Sequence, residues 1–262
     1  MSMIHPTAII HPDAEIAEGV SIGPYACIEG PAKIGENTAI HAHAILSGPV
    51  TLGERNVIGH GAIIGTKPQD LSFDPETTTS GVVIGNDNTI REYATIHRAS
   101  KDNGVTSVGN QNFIMAGAHL GHDVCVGNHV VIANNVLLAG HIQVGDRAFL
   151  GGGGVFHQFI RIGRLAITQG GIAAGKDIPP FTVAVRVNRI AGINTIGLKR
   201  NGFGADQRHE IKAAFQLLYL SGLNVSQALA RARESEWGPE ATEFFEFVAS
   251  AKKRGICAVP SR

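Results

Sequence analysis

Residues 20–46 read VSIGPYACIEGPAKIGENTAIHAHAIL, and the third residue of each group of six is a bulky aliphatic: Ile22, Ile28, Ile34, Ile40 and Leu46. The same six-residue spacing runs back through Ile16, Ile10 and Ile4 and forward through Leu52, Ile58 and Ile64. An α-helix repeats every ~3.6 residues and an ordinary strand every ~2, so neither selects one residue in six. Each hexad is therefore one side of a regular coil, and three sides close a triangle.

The ladder resumes at Ile84, Ile90 and Ile96, and again from Val108 through Ile114, Leu120, Val126, Ile132, Leu138, Val144, Leu150 and Phe156 to Ile162. The interval from Ile64 to Ile84 is not a multiple of six, and Asp102 occupies the rung between Ile96 and Val108. Two loops are thus expected to leave the coil, near 66–82 and 98–107. Two positions before the rungs stand mostly small residues such as Ala26, Ala44 and Ala62, a second and tighter interior position in which Asn56 is the odd polar member. Glycine often follows the rung directly (Gly23, Gly35, Gly53, Gly59, Gly121), and a corner there is expected to use the positive φ that glycine adopts cheaply.

This pattern resembles the left-handed parallel β-helix of the hexapeptide-repeat acyltransferases, and the handedness is taken from that resemblance alone, since general rules favour right-handed crossovers. At ~4.8 Å per coil, about ten coils make a prism on the order of 50 Å long. After Lys176-Asp177-Ile178-Pro179-Pro180 the hexad fades. From Asp206 the period changes, with Ile211, Ala214, Phe215 and Leu218 on one helical face, Asp206 as N-cap and Gly222 as stop. Further helices are expected over 226–236 and 240–252. The chain divides into a mainly β domain, 1–193, and a C-terminal helical domain, 194–262.

A net charge of zero and 17% charged residues give no bias toward nucleic acid. The start carries no basic and apolar leader, no window approaches a membrane span, and a cytoplasmic location is expected. Cys27, Cys125 and Cys257 lack metal-type spacing and read as buried thiols.

For chemistry, His122 falls two positions after the Leu120 rung, so its ring is expected to point outward, with Asp123 beside it in sequence. An imidazole held by a carboxylate on one nitrogen is a general base near neutral pH. The plainer reading is that some of the chain's 12 histidines must fall on the solvated surface. His141 and His157 lie further along and extend a surface strip, which also raises a zinc site as an alternative.

The runs Ala118-His119-Leu120-Gly121-His122-Asp123, Leu138-Ala139-Gly140-His141, Val155-Phe156-His157-Gln158-Phe159, Asp177-Ile178-Pro179-Pro180 and Gly197-Leu198-Lys199-Arg200-Asn201-Gly202-Phe203 resemble those of the UDP-N-acetylglucosamine O-acyltransferases. So do Gln69-Asp70-Leu71 and Ile90-Arg91-Glu92 through Thr95-Ile96-His97-Arg98. The resemblance implies transfer of a (3R)-3-hydroxyacyl chain from acyl carrier protein to the glucosamine 3-position of the UDP-sugar, the first step of lipid A synthesis, by a homotrimer without metal or cofactor. It assigns proton abstraction to His122, ring orientation to Asp123 and oxyanion stabilisation to the Gly140 N–H. Substrate contacts fall to Gln69, Asp70, His119, His141, His157, Gln158, Asn194 and Arg200. Gly170 takes the place of the residue that measures the acyl chain, and its missing side chain implies a longer chain than ten carbons.

Departures from the family pattern touch the acceptor pocket. Leu71-Ser72-Phe73 lacks the usual Lys-Tyr after Gln-Asp-Leu, and Ala99-Ser100 stands for Gly-Thr. Arg186 or Arg189 is expected to restore the lost positive charge. A 3-amino acceptor giving an amide, and a zinc carbonic anhydrase-like protein, are the alternatives. Lys199, Arg200, Arg208, Lys212, Lys252, Lys253 and Arg254 are the expected basic surface for the acidic carrier protein.

Overall fold

The computed structural model describes residues 3–252 and 254–259; residues 1–2, Lys253 and residues 260–262 lie outside the described residues. Rungs three hexads apart stack as parallel partners, Ile22 on Ile40 and Ile40 on Ile58 along one side, Leu120 on Leu138 and Leu138 on Phe156 along another. The result is three sheets of 11, 9 and 8 short strands wrapped around one core. Among the described strands one pairing is antiparallel: Thr182–Val185 against Arg189–Ile193, where the coil gives way to the helical end.

Rung side chains fill the prism. Ile28, Leu46, Ile58, Ile64, Ile90, Ile96 and Leu120 are fully buried, each contributing about 1.5–3 kcal/mol. From Val20 onward the residue two before a rung is buried too, including Ala26, Ala44 and Ala62. Polar members of that column satisfy one another. Asn56 Oδ1 accepts the N–H and the Nδ2 of Asn88, Asn88 Oδ1 accepts both from Asn112, and Asn112 Oδ1 accepts the Val130 N–H, all at 2.7–3.0 Å.

The glycines after the rungs are not there for a positive φ, which corrects the expectation. At the corners, positive φ occurs two residues further on, at Tyr25, Asn37, His43, Arg55, Asp123 and His141, and Gly65 is the exception among the post-rung glycines. The real constraint is the next coil: a Cβ on Gly23 would lie 2.8 Å from the Ala42 N, and one on Gly121 would lie 2.9 Å from the Gly140 N. Coils pass too closely there for any side chain.

The two loops leave where expected, between strands Ile63–Thr66 and Gly81–Ile84 and between Thr95–His97 and Val105–Val108. They are bound to each other. Asp102 Oδ1 accepts the Thr79 N–H at 2.9 Å, and Ala99 O accepts the Ser80 hydroxyl at 2.6 Å.

Among the described residues four helices follow the coil: α1 (Thr195–Arg200), α2 (Ala205–Tyr219), α3 (Val225–Ala232) and α4 (Pro239–Ala249). The α2 face is the expected one, but its N-cap is Gly204, and Asp206 sits in the first turn, where its charge meets the positive end of the helix. α3 and α4 end earlier than the pattern suggests, and the six-residue α1 was too short to show a period. α4 docks on the prism through Arg164–Glu243 at 2.6 Å and through Arg161, which pairs with buried Asp177 at 2.7 Å and lies 4.2 Å over the Phe247 ring. Among the described residues no helix is long and apolar enough to cross a membrane. Cys257 is buried, but Cys125 is exposed because the position before a rung faces outward.

Candidate active site

Leu120, Leu138 and Phe156 stack on one sheet, so the corner residues that follow them are neighbours from coil to coil. His157 follows its rung by one position, His122 by two and His141 by three, which fans the three rings around the corner. His122 does point outward, and its Nδ1 lies 2.7 Å from Asp123 Oδ2. That same oxygen accepts the Ser100 N–H at 3.0 Å and the Ser100 hydroxyl at 2.7 Å. Burial pushes the Asp123 carboxyl up, but the hydrogen bonds from His122 and Ser100 outweigh it and hold the group below its usual range.

The other edge of the His122 ring lies against Gly140. A Cβ on that glycine would come within 2.5 Å of Cε1 and 2.6 Å of Nε2, so the ring occupies the space that the absent side chain leaves. Gly140 is buried, and its N–H meets no acceptor among the described residues. At another corner the equivalent amides are capped by the coil above: Glu54 N–H donates to Asn86 Oδ1, Asn86 N–H to Asn110 Oδ1, and Asn110 N–H to Asn128 Oδ1. A buried donor without a partner is rare and marks a place for a ligand atom.

His122 and Gly140 face a cleft of about 670 Å³ that Gln69, His119, His157 and Gln158 also line. Asp123 sits behind His122 and does not line it, and five further expected residues lie outside it. Asp70 is on the adjoining loop, its Oδ1 taken up by the Ser72 N–H and hydroxyl at 2.9 and 2.8 Å. His141 stacks on Phe159 at 4.5 Å, with its Nε2 3.7 Å from Asp123 Oδ2, and opens onto a neighbouring hollow with Lys252 and Arg254. Asn194 caps α1 through the Gly197 N–H and donates to Leu165 O, so both ends of its amide are occupied. Arg200 is exposed on α1, and Gly170 is exposed after the strand Ile167–Thr168, on a different sheet from the cleft rungs.

Neither arginine expected to replace the lost cation lines the cleft. Arg189 turns to the C-terminal end, donating to Val259 O, and Arg186 is exposed. The loop instead places Phe73 under the Arg98 guanidinium, 5.2 Å from its ring centre.

Reading single hexads missed three residues of the site. His97 lines the cleft, packs edge-on against His119 at 4.9 Å, and is pushed down to about 4 by burial, with the His119 and His122 rings adding to the effect. His119 is also lowered by burial, and its Nδ1 lies 2.7 Å from Thr95 Oγ1. Asn188 lines the upper cleft and accepts the Gly175 N–H. Ser100 is the third. The available signal was the stacking rule: Ile96 lies directly under Leu120, so His97 sits under Gly121 on the edge that carries His122.

His122, Asp123 and His141 offer three ligand atoms within 4.8 Å of one another. Their geometry is that of hydrogen bonding. Two donors bound at ~2.0–2.1 Å around a tetrahedral zinc would stand roughly 3.3 Å apart, not at the 2.7 Å that separates His122 Nδ1 from Asp123 Oδ2.

A family model described as "Udp N-acetylglucosamine O-acyltransferase; Domain 2" matches residues 177–257, and the bacterial transferase hexapeptide model matches 31–66 and 106–140. The acyl-[acyl-carrier-protein]--UDP-N-acetylglucosamine O-acyltransferase of Burkholderia orbicola is 47% identical over 98% of this chain and 99% of its own. This chain belongs to the UDP-N-acetylglucosamine O-acyltransferase family. The UDP-N-acetylglucosamine acyltransferase of Campylobacter jejuni superposes with a TM-score of 0.92 at 35% identity, covering 98% of this chain and 100% of that one. The Francisella novicida enzyme gives 0.93 at 38%, covering 99% and 95%. These O-acyltransferases support neither the amide-forming nor the carbonic anhydrase alternative.

Proposed function

We propose that the chain transfers a 3-hydroxyacyl group from acyl carrier protein to the 3-hydroxyl of UDP-N-acetylglucosamine, the reaction that opens lipid A synthesis. The observation that carries this reading is the His122 ring seated against Gly140, with a carboxylate behind it and a free N–H beside it. His122 Nε2 accepts the proton of the sugar hydroxyl, whose oxygen attacks the thioester carbonyl carbon. The Gly140 N–H donates to the oxygen that gains charge. Collapse of the tetrahedral species breaks the carbon–sulfur bond, and the departing thiolate takes its proton from the imidazolium. A positioned base is worth about 10²–10⁴ in rate and an oxyanion donor about 2.7–4 kcal/mol, so the two groups act together. No cofactor enters this sequence of steps.

Gln69, His119, His157 and Gln158 supply the polar wall for the sugar and its phosphates. Leu137 and Val155, 45% and 43% exposed, supply an outward apolar stripe for the acyl chain. Burial of ten methylenes at ~0.8 kcal/mol each amounts to roughly 8 kcal/mol before ordering costs. Asn194, Arg200 and Gly170, which fall outside the cleft of one chain, join it from a second copy in a homotrimer. The enzyme works in the cytoplasm, where it meets its carrier protein through a basic surface on the helical end, and that end forms a domain from residue 194 onward.

With purified protein, acyl carrier protein thioester and UDP-N-acetylglucosamine, His122→Ala is expected to lose at least 99% of turnover while keeping its thermal midpoint. Unchanged turnover removes the mechanism.

A further inference from the structure

The loop at 98–104 leaves the coil and returns Ser100 to the carboxylate behind His122. Asp123 stands in the left-handed region at φ 60, its own N–H donating to Thr106 Oγ1 at 2.8 Å. Its two oxygens are used unequally. Oδ2 accepts the Ser100 N–H, the Ser100 hydroxyl and the His122 ring N–H, while Oδ1 accepts nothing among the described residues. A serine that merely tied the loop down would serve as well on either oxygen. Here both of its donors converge on the atom that sets the plane and tilt of the imidazole.

The loop is itself held from below, since buried Ser80 donates to the carbonyl of buried Ala99 at 2.6 Å. A relay of contacts therefore runs from Ser80 through Ala99 and Ser100 to Asp123 and the ring.

We propose that Ser100 is a positioning residue for the acyl transfer, fixing Asp123 Oδ2 so that His122 Nε2 stays aimed at the acceptor hydroxyl. This rests on the reading of His122 as the base. Because Ser100 is not among the residues that line the cleft and reaches the base only through Asp123, its loss is expected to affect the chemical step and leave binding alone. Without its hydroxyl, the carboxylate loses a donor that favours the charged form, and the acid limb of activity moves upward in pH.

The test compares Ser100→Ala, Ser100→Thr, Ser100→Cys and His122→Ala in the full chain. Ser100→Ala is expected to lower kcat about tenfold, with KM for both substrates within about twofold and the acid limb of kcat/KM shifted to higher pH. Ser100→Thr, which keeps the hydroxyl, restores kcat to within about twofold, and Ser100→Cys, a weak donor of similar size, falls between. A wild-type kcat and pH profile in Ser100→Ala overturns the assignment. So does a loss that follows the thermal midpoint and is not restored by threonine. If Ser100→Ala does not fold, Cys carries the test, and a kcat equal to that of Thr overturns it. An active His122→Ala overturns the reading of the base itself, whereas an inactive His122→Ala beside a normal Ser100→Ala overturns Ser100 alone.

Discussion

Replacing Gly140 with alanine tests the centre of the site with one methyl group. Gly140 is not among the positive-φ residues, so alanine is tolerated by the backbone, and the coil has no reason to unfold. The added Cβ would stand 2.5 Å from His122 Cε1, where ordinary contact begins at 3.4 Å, so the ring must retreat by about 0.9 Å. That retreat strains the 2.7 Å contact with Asp123 and carries Nε2 off its line to the acceptor. A misplacement of ~1 Å costs about 10² in rate, equivalent to roughly 2.7 kcal/mol of transition-state stabilisation. The expected result is a kcat near one hundredth of wild type, a KM within about threefold and a thermal midpoint within a few degrees. Combining it with His122→Ala should add little, because the methyl acts only by moving that ring. A Gly140→Ala enzyme with more than half the wild-type kcat refutes the packing argument.

Gly170 is expected to allow acyl chains of twelve or fourteen carbons over ten, and Gly170→Met to move the preference shorter; a competition assay with the three thioesters decides, and a C10 preference in the wild type sinks the idea. Asn56→Ala removes the acceptor of the buried Asn88 N–H and of one Nδ2 hydrogen, the other still meeting Gly109 O, and is expected to cost about 1–3 kcal/mol in denaturant unfolding, with a loss under about 0.5 kcal/mol speaking against the ladder. For pH, His97 is held at about 4 in the fold against an ordinary 6.5, so the unfolded chain takes the proton first; the associated stability is present above pH 6.5 and lost as pH falls toward 4. His97→Gln should flatten that slope, and an unchanged slope would reassign it.

The core was legible because the six-residue period is a statement about which side chains face inward, and burial of Ile22 through Ile162 follows from it directly. The same register placed His122 outward and Leu120 inward. What it did not contain was contact between coils. The reason for Gly23 and Gly121 lies in the backbone one coil above, so a reading confined to one hexad attributes it to φ. His97 was missed for the same cause, since its partner His119 stands on the next coil, and Ser100 because a loop decides what it meets and no repeat describes a loop. The arginines at 186 and 189 were chosen for charge and nearness in sequence, and the antiparallel return of Arg189–Ile193 carries the second of them to the C-terminal end.

A chain made of near-identical hexads has a counting problem: after any detour it can rejoin its stack one storey too early or too late with the same aliphatic match. The amides of Asn56, Asn88 and Asn112 answer it, because a shifted landing parts Asn88 Nδ2 from Asn56 Oδ1 and Asn112 Nδ2 from Asn88 Oδ1. Asn56 and Asn88, 32 residues apart, bracket the first loop, and Asn88 and Asn112 bracket the second. A polar thread through an oily shaft thus acts as an address, and the loop that carries Gln69 is free to vary in length without the floors above losing count.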